Sequence, residues 1–334
     1  MAKTVSWGVL GVARIGVEKV IPAMQRGEVS RVEAIASRDL SKARRAADAL
    51  GIAKAYGSYE ELLADPAIEA VYNPLPNDLH VPWTIRALEA GKHVLCEKPI
   101  ALDAVEAETL IAARDRAGKL VAEAFMVRHH PQWRRARELV RSGAIGEARA
   151  IQTFFSYHLT DPTNIRNQPP GGGALYDIGC YAIVTARYLF AAEPTRVVAA
   201  LEVDPAFGVD RAASALIEFP GGRHLTFTSA TQVAPRQRVT VVGETGRIEV
   251  AIPFNAPNDR PTRIAIDSGV DLVGGGARVE EFATCDQYTL QGDAFSRAIL
   301  GEAPLAYPIE DAIANMRVID AAFRSARSGG WERP

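Results

Sequence analysis

The 334-residue chain has little cysteine: three residues, Cys96, Cys180 and Cys285. They are odd in number and share no ligand spacing, so neither a disulfide framework nor a cysteine metal site is expected. Buried free thiols in a reducing compartment are the simpler reading. No sign of charge dominates, since Lys plus Arg number 38 and Asp plus Glu number 40, a net charge of −2. That balance suggests neither a nucleic-acid nor a membrane surface. No apolar run is long enough to span a bilayer, and the N-terminus has no signal-peptide apolar core, so a cytoplasmic protein is expected. Internal repeats and low-complexity tracts are missing as well.

What is present is ordinary for a globular protein, 48% hydrophobic and 23% charged residues, at a length that suits two domains. Strand-like runs at 5–10, 32–37, 52–56, 70–73, 93–96 and 120–124 alternate with helical runs at 15–25, 41–50, 81–90 and 105–117. Ser58-Tyr59-Glu60-Glu61 opens a further helix with a capping box. Alternation of this kind predicts an α/β domain with a doubly wound parallel sheet over residues 1–125. Beyond it the pattern changes. A helix near 132–142 leads to a strand over 148–158, then to strand-like runs at 197–203, 212–219, 224–230, 236–242 and 247–251 separated by tight turns. These predict a second, α+β domain over 126–334 with a large open antiparallel sheet, closed by helices near 287–300 and 309–326.

Three blocks carry chemistry. After the first strand, Gly11-Val12-Ala13-Arg14-Ile15-Gly16 has the layout of a dinucleotide-binding turn. Gly11 permits the tight turn, a small residue at Ala13 lets a pyrophosphate approach, and Gly16 lets helix pack on strand, with the helix N-terminus toward the phosphates. The second strand ends in Ser37-Arg38-Asp39, so a guanidinium stands where an NAD-selecting carboxylate is usual. Arg38, with Lys42 and Arg44 behind it, favours a 2′-phosphate and hence NADP over NAD, although Asp39 remains an acidic alternative. The second block is Glu97-Lys98-Pro99 at the end of a strand, where ligands of open α/β sheets bind. The third is Gly171-Gly172-Gly173 followed by Asp177 and Tyr181, which share a face if the segment is helical.

Together these blocks resemble the Gfo/Idh/MocA oxidoreductase family over nearly the whole chain, in particular its sugar and dihydrodiol dehydrogenase branch. The resemblance implies an NAD(P)-dependent enzyme acting on CH–OH groups, with Lys98, Tyr181 and Asp177 catalytic. Tyr181 serves as acid–base group, Lys98 favours its phenolate, and Asp177 holds substrate. The proline-containing loop Pro74, Leu75, Pro76 and Asn77 would lie along the nicotinamide. His80, Glu97 and Lys98 complete the cofactor side with Gly11, Ala13, Arg14, Ile15, Gly16, Ser37 and Arg38. On the substrate side stand Arg128, at the expected domain junction, and the polar loop residues His158, Asn164 and Arg166. The expected reaction is oxidation of a xylose-like aldose, a polyol or a dihydrodiol. Reduction of a ketose or dicarbonyl by the same site is an alternative, and so is a non-catalytic NADP-sensing regulator, although an intact proton-transfer pair speaks for turnover. No metal is implied. A homodimer or homotetramer joined through the open face of the second sheet is expected, because a broad apolar face in water is unfavourable.

Overall fold

The computed structural model describes residues 3–334, which form two compact units. The first runs to Met126 and takes in Asp286–Ile313. Its strands are β1 (Val5–Leu10), β2 (Ser30–Ala36), β3 (Lys54–Tyr56), β4 (Ala70–Asn73), β5 (His93–Cys96) and β6 (Val121–Glu123). They pair in parallel in the order β3-β2-β1-β4-β5-β6. Crossovers carry α1 (Ile21–Gln25), α2 (Leu40–Leu50), α3 (Tyr59–Ala64), α4 (His80–Glu89) and α5 (Ala104–Ala117). A sheet covered on both faces needs strands that are apolar throughout. Trp7, Val9, Val71 and Tyr72 meet that demand with no exposed surface. The strand order reverses between β1 and β4, so the crevice beyond their carboxyl ends is the place for a ligand. Gly11 follows β1 and the Asn73–His80 loop follows β4.

The second unit comprises Val127–Cys285 and Ala314–Pro334. In chain order it contains α6 (Pro131–Arg141), β7 (Ala148–His158), α7 (Cys180–Phe190), β8 (Arg196–Val203), β9 (Asp210–Phe219), β10 (Arg223–Ala230), β11 (Gln232–Gly243), β12 (Arg247–Val250), β13 (Thr262–Asp267) and β14 (Ala277–Phe282). The eight strands run β14-β13-β12-β11-β7-β10-β9-β8. The sheet is antiparallel except where β7 inserts between β11 and β10 and runs parallel to β10, with His224 opposite Ala150. Period-two alternation marks a strand but not its partner, so the sequence pattern does not reveal this insertion.

Helix α8 (Gln287–Ile299) precedes the last helix, α9 (Ile309–Ser328). The expected boundary, with everything after 125 in one domain, is therefore corrected. Asp293 of α8 accepts from the Glu28 N–H at 2.8 Å, the Val29 N–H at 3.2 Å and the Ser30 hydroxyl at 3.1 Å. Trp7 Nε1 donates to Ser296 Oγ at 3.0 Å. An amphipathic helix shows in its sequence that it has an apolar face, but not which sheet will cover it.

The outward face of the second sheet also differs from expectation. On β9, Ser214 and Glu218 alternate with buried Ala213, Ala215, Ile217 and Phe219. Glu218 pairs with Arg196 across β8, Ser214 bonds Thr228 of β10 at 2.9 Å, and Arg238 of β11 pairs with Glu249 of β12. This face is mixed, with charge pairs and hydroxyls beside the partly exposed Val198, Leu216 and Phe154 and the exposed Val242.

Candidate active site

In the first unit, the turn after β1 needs glycine. Gly11 has φ +92°, and a Cβ there would stand 3.0 Å from Leu75 Cδ2. Gly16 is less constrained than expected. A Cβ there would meet Pro74 and Tyr72 at 3.7 Å, an ordinary contact, so helix packing alone does not demand a glycine. Ala13 and Ile15 are half-buried, while Arg14 extends into solvent and pairs with Glu18 at 2.9 Å. Ser37 is buried and its Oγ accepts from the Asp39 N–H at 3.2 Å.

Asp39 is committed to capping α2. Its Oδ1 accepts from the Ser41 hydroxyl at 2.7 Å, the Ser41 N–H at 2.9 Å and the Lys42 N–H at 3.2 Å. These bonds, led by the Ser41 hydroxyl, hold its carboxyl below the usual range. All three bonds go to Oδ1, and both Asp39 and Arg38, which lies beside Tyr59, are exposed at this strand end.

The loop after β4 is pinned from within. Asn73 Nδ2 donates to the His80 carbonyl at 3.1 Å and to Thr84 Oγ1 at 3.3 Å, and Asn73 Oδ1 accepts from the Leu75 N–H at 3.3 Å. Pro74 and Leu75 are buried, Pro76 and Asn77 half-buried. His80 is 1% exposed, with Nδ1 2.8 Å from the Pro99 carbonyl oxygen and Nε2 2.7 Å from that of Leu75. Two carbonyl neighbours favour the imidazolium, but burial outweighs them, and the Lys98 charge adds to it, so the pKa falls to about 4. The His80 ring thus joins the loop to the Lys98–Pro99 turn. That turn leaves β5 through a cis peptide. Glu97 Oε1 accepts from the Tyr72 hydroxyl at 2.6 Å, and the Lys98 N–H donates to Glu97 Oε2 at 3.3 Å. Lys98 is half-buried at the strand end.

In the second unit, the glycine run approaches the protein itself. A Cβ on Gly172 would lie 2.5 Å from the Gln168 carbonyl oxygen, and one on Gly173 2.1 Å from Asp210 Oδ1. The helix that follows opens as a π-helical turn, Leu175–Gly179, and continues as α7. Asp177 sits in that turn and Tyr181 in the first turn of α7. Asp177 is bracketed: the Tyr157 hydroxyl donates to Oδ2 at 2.5 Å, and Arg166 Nε donates to Oδ1 at 3.2 Å. Burial first, then the Asp177 charge, pushes the Tyr157 hydroxyl well above its ordinary pKa, so it stays a donor. The Asp177 charge raises the Arg166 guanidinium's pKa against the opposing effect of burial, so it stays charged. Asp177, Tyr157, Arg166 and Tyr181 thus form one cluster. Tyr181 is 6% exposed and packs against Phe155 at 5.9 Å and Phe254 at 5.3 Å between ring centroids.

The remaining substrate-side residues divide. Asn164 accepts from the Arg166 N–H at 3.1 Å and so shapes the loop that presents Arg166. Arg128 is buried at 3% exposure, whereas His158 ends β7 exposed. Tyr157 is absent from the residues expected at the site. Its signal is period two: it shares a strand face with Phe155, two residues earlier, which packs on Tyr181.

A parallel sheet whose switch point opens on a positive-φ glycine is the layout of a dinucleotide-binding unit. The chain belongs to the GFO/IDH/MocA family. The oxidoreductase family model with an NAD-binding Rossmann fold matches residues 5–125, and the GFO/IDH/MocA C-terminal domain model matches residues 133–249. A D-xylose 1-dehydrogenase (NADP(+)) of Haloferax volcanii is 41% identical over 97% of this chain and 98% of its own. A dTDP-3,4-didehydro-2,6-dideoxy-alpha-D-glucose 3-reductase of Actinomadura kijaniata is 34% identical over 98% and 97%. The crystal structure of an aldose-aldose oxidoreductase from Caulobacter crescentus, complexed with glycerol, matches with a TM-score of 0.91 at 29% identity, covering 99% of this chain and 100% of that one. Among the described residues no helix is long and apolar enough to cross a membrane.

Proposed function

We propose that the protein oxidises a xylose-like aldose with NADP, or a polyol or dihydrodiol of similar size. The observation that carries this reading is the Asp177 cluster, a carboxylate held by Tyr157 and Arg166 on the helix that bears the Tyr181 phenol. When bound, NADP supplies the nicotinamide that accepts the hydride. The residues on its side fit it: Gly11 leaves room at the phosphate turn, and Arg38 stands exposed at the end of β2, where one oxygen of Asp39 caps the next helix. Tyr181 takes the proton from the substrate hydroxyl. A phenol of ordinary pKa about 10 is a weak base near neutrality, and the Lys98 ammonium favours its phenolate, in the pairing the family resemblance implies. Asp177 accepts hydrogen bonds from substrate hydroxyls, and Arg166 keeps it charged and oriented. Asn164 supports that loop, and Arg128 holds the substrate side by the same resemblance.

The experiment is a screen of aldoses, polyols and dihydrodiols, followed by NADPH absorbance. Turnover of a pentose or hexose at its anomeric hydroxyl supports the reading, and absence of turnover on every class would end it. Reduction is the second reading, favoured by the likeness to a keto-sugar 3-reductase and by the reversibility of the chemistry. Consumption of NADPH with a keto-sugar, and no oxidation of aldoses, would establish it. A regulator without turnover is disfavoured, because a nucleotide sensor has no use for a phenol beside an ion-paired carboxylate. We also propose a cytoplasmic location and a homodimer or homotetramer through the second sheet. The charge pairs of its mixed outer face make that interface salt-sensitive, and light scattering at micromolar protein tests it.

A further inference from the structure

We propose that Asp210 is a positioning residue for this reaction: from the head of β9 its carboxylate holds the first turn of the helix that carries Asp177 and Tyr181. The role rests on the reaction proposed above. A helix begins with backbone N–H groups that have no partner within it, and they are usually met by the side chain of the residue at its own N-terminus. Here that residue is Ala174, which has no such side chain. The cap comes instead from 35 residues away, where Asp210 Oδ2 accepts from the Leu175 N–H at 2.7 Å. A second bond comes from the Ala174 N–H.

The fit is close on both sides. Asp210 Oδ1 occupies the place where any side chain at Gly173 would begin, 2.1 Å from where its Cβ would stand, and Gly173 has φ +110°. On the other side the Gly173 N–H donates to the Arg166 carbonyl at 2.9 Å. The Gly173 carbonyl in turn accepts from the Asp177 N–H at 3.0 Å. One carboxylate therefore fixes the backbone on which Asp177 is built, and through the same residue the loop that presents Arg166. The titratable group facing Asp210 from β7 is Tyr157, with Asp177 and Arg166 beyond it. Asp210 is 4% exposed, and burial pushes its pKa up to about 7 against the pull of its N–H donors.

The variants are Asp210→Ala and Asp210→Asn. Asn keeps one acceptor and the shape, and so imitates the neutral acid. In Asp210→Ala, kcat should fall about 10- to 100-fold, the worth of a buried hydrogen bond to a charged group, with NADP affinity unchanged. Asp210→Asn should restore most of it near pH 6 and less at pH 8, where the native carboxylate is charged. Two readouts need no substrate: amide exchange over residues 174–178, and the Cζ resonance of Tyr181 in tyrosine-labelled protein, assigned with Tyr181→Phe. Exchange should quicken and the resonance move in Asp210→Ala, and both should return toward native in Asp210→Asn. A folded Asp210→Ala protein with native exchange and a native Tyr181 signal would overturn the proposal, as would altered exchange with native kcat. If Asp210→Ala does not fold, the comparison of Asp210→Asn with the native protein decides. An identical pH dependence of exchange at Leu175 in the two would overturn it. If no substrate turns over, the reading of the reaction fails while exchange and resonance still decide this one.

Discussion

Tyr157 donates a 2.5 Å hydrogen bond to Asp177 Oδ2, so the carboxylate expected to hold substrate is itself held by a strand residue. Arg166 completes the bracket from the opposite oxygen. A carboxylate with both oxygens engaged has few orientations left, and that fixes where a sugar hydroxyl can be accepted.

Tyr157→Phe removes the donor and keeps the ring. A hydrogen bond to a charged group is worth about 1.5 to 3 kcal/mol, so kcat/KM for the sugar should fall about 10- to 100-fold. NADP affinity should be unchanged. Steady-state kinetics paired with cofactor titration checks this, and a native kcat/KM would show that Arg166 alone holds Asp177.

Cofactor choice is tested at the end of β2. Arg38→Ala should weaken NADP binding by about 10-fold or more and leave NAD binding as it was. Asp39→Ala should alter neither affinity but should lower stability, because it removes the cap of α2, whereas Asp39→Asn, which keeps a capping oxygen, should not. Isothermal titration with both nucleotides separates the cases. Equal losses for NAD and NADP in Arg38→Ala would remove the 2′-phosphate role.

Much of this is legible in the sequence and some is not, for identifiable reasons. Parallel strands are covered on both faces and read as unbroken apolar runs, so the first sheet is plain from Val5 to Glu123. Lys98 is marked by Pro99, which disfavours helix at the residue before it, and Tyr181 by its spacing from Asp177 and Gly179 after the glycine run. Tyr157 bears no such mark, since a tyrosine near the end of an alternating strand looks like any other half-buried residue. Asp210 is hidden for a different reason: its partner lies 35 residues away, and no local pattern announces a cap supplied by another strand. The return of α8 to the first sheet is equally silent, because Asp293 and Ser296 on that helix look like solvent-facing residues until Trp7 and Ser30 are placed beside them.

Acid should destabilise the fold through its buried histidines. Burial lowers His80 to about 4, and burial with the Arg128 and Arg134 charges lowers His129 to about 3. The unfolded chain takes up protons at each near pH 6.5 while the folded chain does not, so stability is full above that pH and is lost as pH falls through the folded values. At full protonation the loss is on the order of 3 kcal/mol for His80 and 5 kcal/mol for His129. Urea unfolding at pH 7.5 and pH 4.5 should show the loss, and His129→Gln should reduce the difference. A pH-independent midpoint would contradict the assignment of neutral rings.

The central claim is that Tyr181 is the proton-transfer group and Lys98 its tuner. The direct measurement is kcat of Tyr181→Phe on the best aldose from the screen, with NADP affinity measured on the same protein. A fall of about 100- to 10,000-fold is expected, the usual worth of general acid–base catalysis, with NADP affinity near native. Lys98→Met should lower kcat and move the pH optimum upward, and the double variant should be little worse than the poorer single one. A Tyr181→Phe enzyme that turns over at the native rate would contradict this assignment and pass the proton to another residue, His158 first.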